Sequence, residues 1–548
     1  MRRGVPDPAP VRTAVVRAVL GLLALTLVAL PFYAAWRYDA HRRAVTPQAA
    51  PPAGARPVAG EAGPPRGGGP GGDAAAPPVV LAYHDIGPRG GSRYTVTPEA
   101  FDAQLAALAR AGYRSLSTEE FVRYLDGGPP PARRSVYLTF DDGTHGLWVY
   151  GDRILARYRM RAAAFLITGS VGSHRPYYLS WQEIGRMAAT DRWDFQDHTH
   201  ALHRRDAVDA SGTRASALSN RLWLPGDRRQ EREDEYRARI ARDLDTSLAE
   251  FARHGLPRPR LFAYPFSEAS EPVNFPTAKG ILRHELADRF AAGLTNNSDR
   301  PLPAGRRAAA AREVRRLEIT RATDLTAFRA ELDLWTAEEP GARPDPLHDA
   351  AGWEHTGATS QGGAGVFTGR GPYPGRTGFA AASYRPVATA DWTDYRLDVT
   401  VDRLREATNN VGIVVRDGSL APVTVALSHS YVSLLAGTGD RRAEVVRRTL
   451  EDNAVHRVRV TVRGARTEVV VDGRFRIDWT EPSAAGGNGR GGLALNIRNG
   501  GAPGEWPRFA SLRVSPLRVA SSPAAGTGTA AGARAGTGTA GAVPAEAR

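Results

Sequence analysis

The stretch that most constrains this chain is Val136-Tyr137-Leu138-Thr139-Phe140-Asp141-Asp142-Gly143. Five mostly apolar, β-prone residues run without alternation, the pattern of a strand covered on both faces. They lead straight into two neighbouring carboxylates and a glycine, which permits a sharp turn at the strand's C-terminal end. Adjacent carboxylates repel, and the repulsion favours protonating one of them unless a cation sits between. A divalent metal removes that cost and gives the pair separate tasks, one as ligand and one as base. An Asp-Gly turn alone is common, so a second cluster is needed to support this reading.

That cluster is Asp197-His198-Thr199-His200-Ala201-Leu202-His203, with three of the chain's 13 histidines. Imidazole and carboxylate are ligands of zinc and its neighbours, and two histidines with one carboxylate leave positions open for water and substrate. A solvated polar loop explains the cluster taken alone. A carboxylate pair after one strand and histidines after a later one together point to a catalytic metal site.

Around these clusters strands and helices alternate. Strands are expected at 79–83, 135–140, 162–168, 193–197, 260–264, 290–295 and 314–319. Thr97 and Pro98 open a helix that Gly112 ends; Ser117 with Glu120, and Ser180 with Glu183, make capping boxes; a long helix is expected over about 231–253. This alternation predicts parallel strands with helical crossovers, hence an open sheet or barrel. His84, Asp141, Asp142, His198 and Pro265 all fall at or just past strand C-termini, where barrel enzymes gather their catalytic residues. Residues 204–230 break the rhythm directly after His203; loop decoration is the default for them and a substrate-contacting lid the alternative. From about 346 to 516 the pattern is purely β, with Asp472-Gly473 as a hairpin turn, and predicts a β-sandwich. Trp353, Trp392, Tyr431, Trp479 and Trp506 are candidates for stacking on sugar rings, with core packing the expected fate of most. Every candidate catalytic residue precedes 270, so the barrel is expected to turn over small substrates without the sandwich.

Charge and composition narrow the function. The chain has 72 Lys+Arg against 58 Asp+Glu, but Lys279 is its one lysine and no basic block with interleaved aromatics stands out, so nucleic acid is not an expected partner. An anionic cell envelope suits a basic protein. With no cysteine there is no disulfide, thiolate metal site or lipid-modified cysteine. Residues 18–36 carry no charge, and as a helix they would span about 28 Å, close to the hydrocarbon thickness. They are read as an uncleaved transmembrane signal anchor with residues 1–17 in the cytoplasm, a cleaved signal peptide being the rival. Residues 37–78 read as a disordered Pro/Ala/Gly stalk and 517–548 as a disordered tail. The expected location is the cell membrane, single-pass, with the catalytic domain outside, or secreted if the segment is cleaved; oligomeric state is left open.

Thr139-Phe140-Asp141-Asp142-Gly143 resembles the first motif of the polysaccharide deacetylases with the NodB-homology domain, carbohydrate esterase family 4, and His198-Thr199 opens a stretch similar to the second. His198 and His203 stand one residue further apart than the usual pattern, with Leu202 before the last histidine; this resembles the poly-β-1,6-N-acetylglucosamine N-deacetylase subgroup. Leu81-Ala82-Tyr83-His84-Asp85-Ile86 and Phe262-Ala263-Tyr264-Pro265-Phe266 are also similar; the resemblance covers roughly 79–335 and implies a domain over 79–340. The sandwich resembles concanavalin-like jelly-roll domains of the laminin-G kind by pattern.

The resemblance implies a distorted, incomplete (β/α) barrel acting as a metal-dependent N-deacetylase on an N-acetylglucosamine-containing polysaccharide. O-deacetylation and non-catalytic glycan binding are the alternatives. Asp142, His198 and His203 would hold the metal, zinc first, with Co2+, Ni2+, Mn2+ or Fe2+ as substitutes. Asp141 would be the base, and Tyr264, Pro265 and a backbone N–H near Phe266 would serve substrate and oxyanion. The late-domain histidine that serves as acid in most of the family is missing at Leu317-Glu318-Ile319, and His84 matches the subgroup's acid. Ala263 stands where many members carry the arginine that orients the base, so the resemblance supplies no partner for Asp141 at that position.

Overall fold

The computed structural model describes residues 76–517, apart from 89–91, 270–272, 299, 357–363, 406–407, 440–441, 483–488 and 501–504, together with twelve residues between 19 and 37. The stalk up to 75 and the tail beyond 517 lie outside the described residues, as does part of the expected anchor. No helix among the described residues is long and apolar enough to cross a membrane.

Eight parallel strands build the first domain: β1 (Val79–Tyr83), β2 (Ser135–Phe140), β3 (Ala162–Leu166), β4 (Trp193–Asp197), β5 (Leu261–Ala263), β6 (Ala292–Thr295), β7 (Glu313–Arg315) and β8 (Leu317–Glu318). They pair in the order β7-β6-β5-β4-β3-β2-β1-β8, with the short strand Arg114–Ser115 alongside β2. The result is a nearly closed barrel whose two edges are β7 and β8. The single run expected at 314–319 is therefore two strands on opposite edges, and Arg316 is the residue that crosses the gap between them.

The continuous apolarity of β2 has the expected cause. Val136, Leu138 and Phe140 belong to one buried cluster with Phe101, Leu105 and Ile184 of the surrounding helices. Tyr137 belongs to another with Ala163, Phe165, Ala263 and Leu294 of neighbouring strands. Alternate residues thus face the helix layer and the barrel interior, and the period of two puts Tyr137, Thr139 and Asp141 on the inner face. Both capping boxes form, Thr97 caps the helix Pro98–Arg110, and the long helix spans Glu233–Arg253. Residues 204–230 contain two small antiparallel pairs, Arg205–Ala207 with Arg214–Ser216 and Trp223–Leu224 with Arg229–Gln230. The insertion is thus a loop pinned by two short hairpin-like pairs.

The second domain is two antiparallel sheets of seven and five strands around one core. Asp472 and Gly473 have φ of 51° and 73°, as a tight hairpin turn requires. Trp353, Trp392 and Trp506 are buried in that core and so removed from sugar stacking; Trp479 packs at its edge, and the Tyr431 ring carries the Arg447 guanidinium 4.6 Å away.

The two domains are joined through charged groups. Arg307 is 5% exposed and donates to the carbonyls of Ala390, at 3.1 Å, and Gly418. The Asp391 carboxylate accepts from the backbone N–H groups of Arg306 and Arg307 at 2.8 and 3.3 Å. It caps, from the sandwich, the barrel helix Arg306–Ala311, whose own N-cap is Gly305. From the other side Arg385 donates to the Asp333 carboxylate at 2.9 Å. That helix leads directly into β7 and Arg316, so the sandwich supports the strand edge nearest the site. Asp391→Ala should cost the full chain about 1–2 kcal/mol, the usual worth of a cap, as a lowered urea midpoint. An unchanged midpoint would show that the contact carries no stability.

Candidate active site

At the end of β2 the chain turns through Asp142 and Gly143, with φ of 70° and 69°. This region is costly for a non-glycine residue and is held here by the surrounding packing. The φ of Gly143 favours glycine, and a Cβ there would also lie 2.7 Å from Leu166 Cδ2, so that side chain would have to shift. The turn gives the two carboxylates different surroundings. Asp141 is buried and receives both arms of a guanidinium, Arg316 Nη1 to Oδ1 at 2.8 Å and Nη2 to Oδ2 at 2.6 Å. Asp142 Oδ1 has no hydrogen-bond partner and lies 3.5 Å from Nε2 of both His198 and His203.

Just past β4 a second turn places the histidines. Asp197 Oδ1 accepts from the Thr199 N–H at 2.7 Å, with Thr199 at φ 76°. His198 Nδ1 lies 2.8 Å from the Ala263 carbonyl. A carbonyl only accepts, so the proton is on Nδ1 and neutral His198 presents the Nε2 lone pair to the cluster. His200 turns away: its Nδ1 is 3.0 Å from Thr168 Oγ1 and its backbone N–H goes to Asp243. The ligand atoms of Asp142, His198 and His203 all lie within 4.8 Å of one another.

The electrostatics of this group set an ionised carboxylate against imidazoles. Burial pushes the Asp141 carboxyl up, but the Arg316 guanidinium outweighs it and holds the group well below the usual carboxylate range. Burial likewise opposes ionisation of Asp142, and the His198 and His203 imidazoles beside it outweigh burial and hold it low. Burial brings His203 down to about 4, giving the neutral imidazole that ligation requires. Burial also pulls His198 down, yet the neighbouring Asp142 and Asp141 carboxylates raise it overall. A buried carboxylate oxygen without a hydrogen bond, facing two imidazole nitrogens, fits a divalent metal.

The remaining expected residues gather at the same end of the barrel. His84 Nε2 is 4.0 Å from Asp141 Oδ2, and its ring lies 4.5 Å from that of Tyr94. Tyr264 and Phe266 line the cleft, of about 230 Å³, with His84, Asp141, His198 and His203, while Pro265 is buried. The Phe266 ring is 4.7 Å from the His203 ring and carries the Arg205 guanidinium at 4.6 Å. Arg205 also pairs with Glu268 at 3.1 Å, so the inserted segment does reach the cleft wall.

Arg316 corrects the sequence reading. Ala263 leaves no arginine at the expected place, but a guanidinium grips the base from the barrel seam instead. Arg316 stands directly before Leu317-Glu318-Ile319, and nothing in that stretch says that a side chain there crosses the barrel interior to Asp141.

Residues 128–279 match the family described as polysaccharide deacetylase. Over 113 residues the chain is 35% identical to the poly-beta-1,6-N-acetyl-D-glucosamine N-deacetylase of Staphylococcus epidermidis, which covers 20% of this chain and 39% of that relative. The chain thus matches well under half the length of its curated relatives. Among solved structures, a de-N-acetylase from Aggregatibacter actinomycetemcomitans is similar over 46% of this chain and 98% of its own, with 18% identity and a TM-score of 0.39. IcaB from Ammonifex degensii is similar over 45% and 94%, with 26% identity and a TM-score of 0.35.

Removing Arg316 strips a buried carboxylate of its guanidinium partner. Arg316→Ala should cost about 3–5 kcal/mol, the usual range for half of a buried pair. Adding Asp141→Asn should recover part of that loss in a double-mutant cycle read by urea unfolding. Because the Asp141 carboxyl is held low in the folded state, the pair's contribution is complete above the ordinary carboxylate range and declines as pH falls through it. Strictly additive losses would show that the two groups do not act as a pair.

Proposed function

With residues 128–279 a polysaccharide deacetylase domain, we propose that this chain is a hydrolase that removes N-acetyl groups from a glycan of the poly-N-acetylglucosamine type. The reading is carried by Asp142, His198 and His203 gathered beside an Asp141 gripped by Arg316. Its supporting likeness is to a relative named as a poly-beta-1,6-N-acetyl-D-glucosamine N-deacetylase.

Asp142, His198 and His203 would hold a divalent metal, zinc first and cobalt, nickel, manganese or iron as substitutes. When bound, such an ion supplies Lewis acidity to the carbonyl and to the water brought against it. Asp141 takes a proton from that water; each of its oxygens keeps a lone pair beyond the bond to Arg316. The water oxygen adds to the amide carbon, the C–N bond breaks, and the acyl group leaves as acetate. The sugar nitrogen must gain a proton before it leaves, or the adduct collapses backwards. His84, 4.0 Å from the base, is assigned that donation. A backbone N–H near Phe266 is assigned to the developing oxyanion. We assign 18–36 as the tether of this domain outside the cell, on the strength of its uncharged length. A protein found in the medium and starting after that run would overturn the tether.

Wild-type protein should release acetate from N-acetylglucosamine oligosaccharides, lose that activity to a chelator and regain it with zinc. His198→Ala and His203→Ala should lower bound metal, whereas His200→Ala should retain it. His84→Asn should keep metal and fold while kcat falls by roughly 10²–10⁴, the range for a lost general acid. Near-normal turnover in His84→Asn would assign the proton elsewhere.

A further inference from the structure

The cleft contains a carboxylate that the chemistry above leaves unused. Glu318 Oε1 accepts from Asn296 Nδ2 at 2.9 Å, and Asn296 Oδ1 accepts from Arg316 Nε at 2.9 Å. The guanidinium that holds Asp141 is thereby joined through one amide to a second carboxylate lining the same cleft. Glu318 Oε2 lies 3.9 Å from Nη2 of Arg93, whose side chain is 70% exposed. The Arg93 guanidinium sits 4.6 Å over the Tyr94 ring, which in turn lies against His84. Next to the histidine assigned as acid, then, an acceptor and a donor stand side by side. One is fixed by a strand and an amide, the other rests on an aromatic ring.

This pairing suits a particular chemistry. A sugar hydroxyl both donates and accepts, so neighbouring hydroxyls match a carboxylate beside a guanidinium. A cationic amine is poorly matched, because Arg93 faces the same space. We propose that Glu318 and Arg93 form a hydroxyl-binding subsite, which seats the sugar ring whose acetamido group reaches Asp141, with Asn296 holding the Glu318 carboxylate in place. The proposal rests on the deacetylase reading and names how that site selects a sugar.

The test compares kcat/KM on an N-acetylglucosamine oligosaccharide with kcat/KM on 4-nitrophenyl acetate, an acetyl ester without hydroxyls. Glu318→Gln keeps a carbonyl for Asn296 but loses the charge. It should lower the oligosaccharide-to-ester ratio roughly ten- to a hundredfold, the worth of a hydrogen bond to a charged group, mainly through KM. Arg93→Gln should lower the ratio in the same direction. Equal losses on both substrates would mean that Glu318 acts through Asn296 and Arg316 on Asp141, and would overturn the subsite, as would an unchanged ratio. Oligosaccharide affinity by calorimetry separates this question from turnover. Weaker binding by Glu318→Gln supports the subsite even if wild type releases no acetate, which would fail the deacetylase reading alone; equal affinity overturns the subsite.

Discussion

The bidentate pair between Asp141 and Arg316 is the interaction on which the site depends. A carboxylate inside a barrel is tolerable only if another group supplies the charge and hydrogen bonds that water would have supplied. A planar guanidinium does this with two parallel bonds, and it fixes the carboxylate's orientation as well as its charge. The pair also occupies the barrel's seam. Arg316 is the residue between the edge strands β7 and β8, so the gap in the sheet is where the guanidinium enters the interior. The sandwich bears on this arrangement from outside, because Asp391 and Arg307 lock the helix that leads into β7.

Asp141 and Asp142 show how far one backbone turn separates chemically identical neighbours. Asp141 continues the inward side of β2 and is neutralised by an arginine. Asp142, at φ 70°, leaves the strand and faces two imidazoles with an oxygen that has no hydrogen bond. Repulsion between adjacent aspartates is relieved by giving each its own source of positive charge. One source is the arginine built into the protein, and the other is the pair of imidazoles with which Asp142 could hold a cation.

Both walls of the cleft repeat one device. Arg93 lies over Tyr94, which lies against His84; Arg205 lies over Phe266, which lies against His203. A guanidinium over a ring, and a ring against an imidazole, fix the histidine's plane without using its nitrogens. One stack comes from the loop after β1. The other joins the residue after Pro265 to the inserted segment that follows His203, so that segment is part of the wall.

What the sequence determined by itself is what local chemistry and period carry. Unbroken apolarity in Val136–Phe140 meant a strand buried on both faces. Ser117 with Glu120 and Ser180 with Glu183 meant helix starts, and Asp472-Gly473 meant a hairpin. The His198 and His203 pair, with Asp142, was legible because short motifs at strand ends converge on one face of any parallel barrel. Core packing was the expected fate of most of the sandwich aromatics, and Trp353, Trp392 and Trp506 meet it; which of the five would stay nearer the surface was not legible, since an aromatic residue serves a core and a sugar equally well. Only the tertiary structure decided the partner of Asp141. Arg316 lies 175 residues away in the chain, and nothing near it marks it, because its role is set by the gap at which β7 gives way to β8. The same holds for Asp391 capping the helix Arg306–Ala311 and for Glu318 beside Arg93. Those contacts depend on which strand edges and which domains meet, and no periodicity along the chain encodes that meeting.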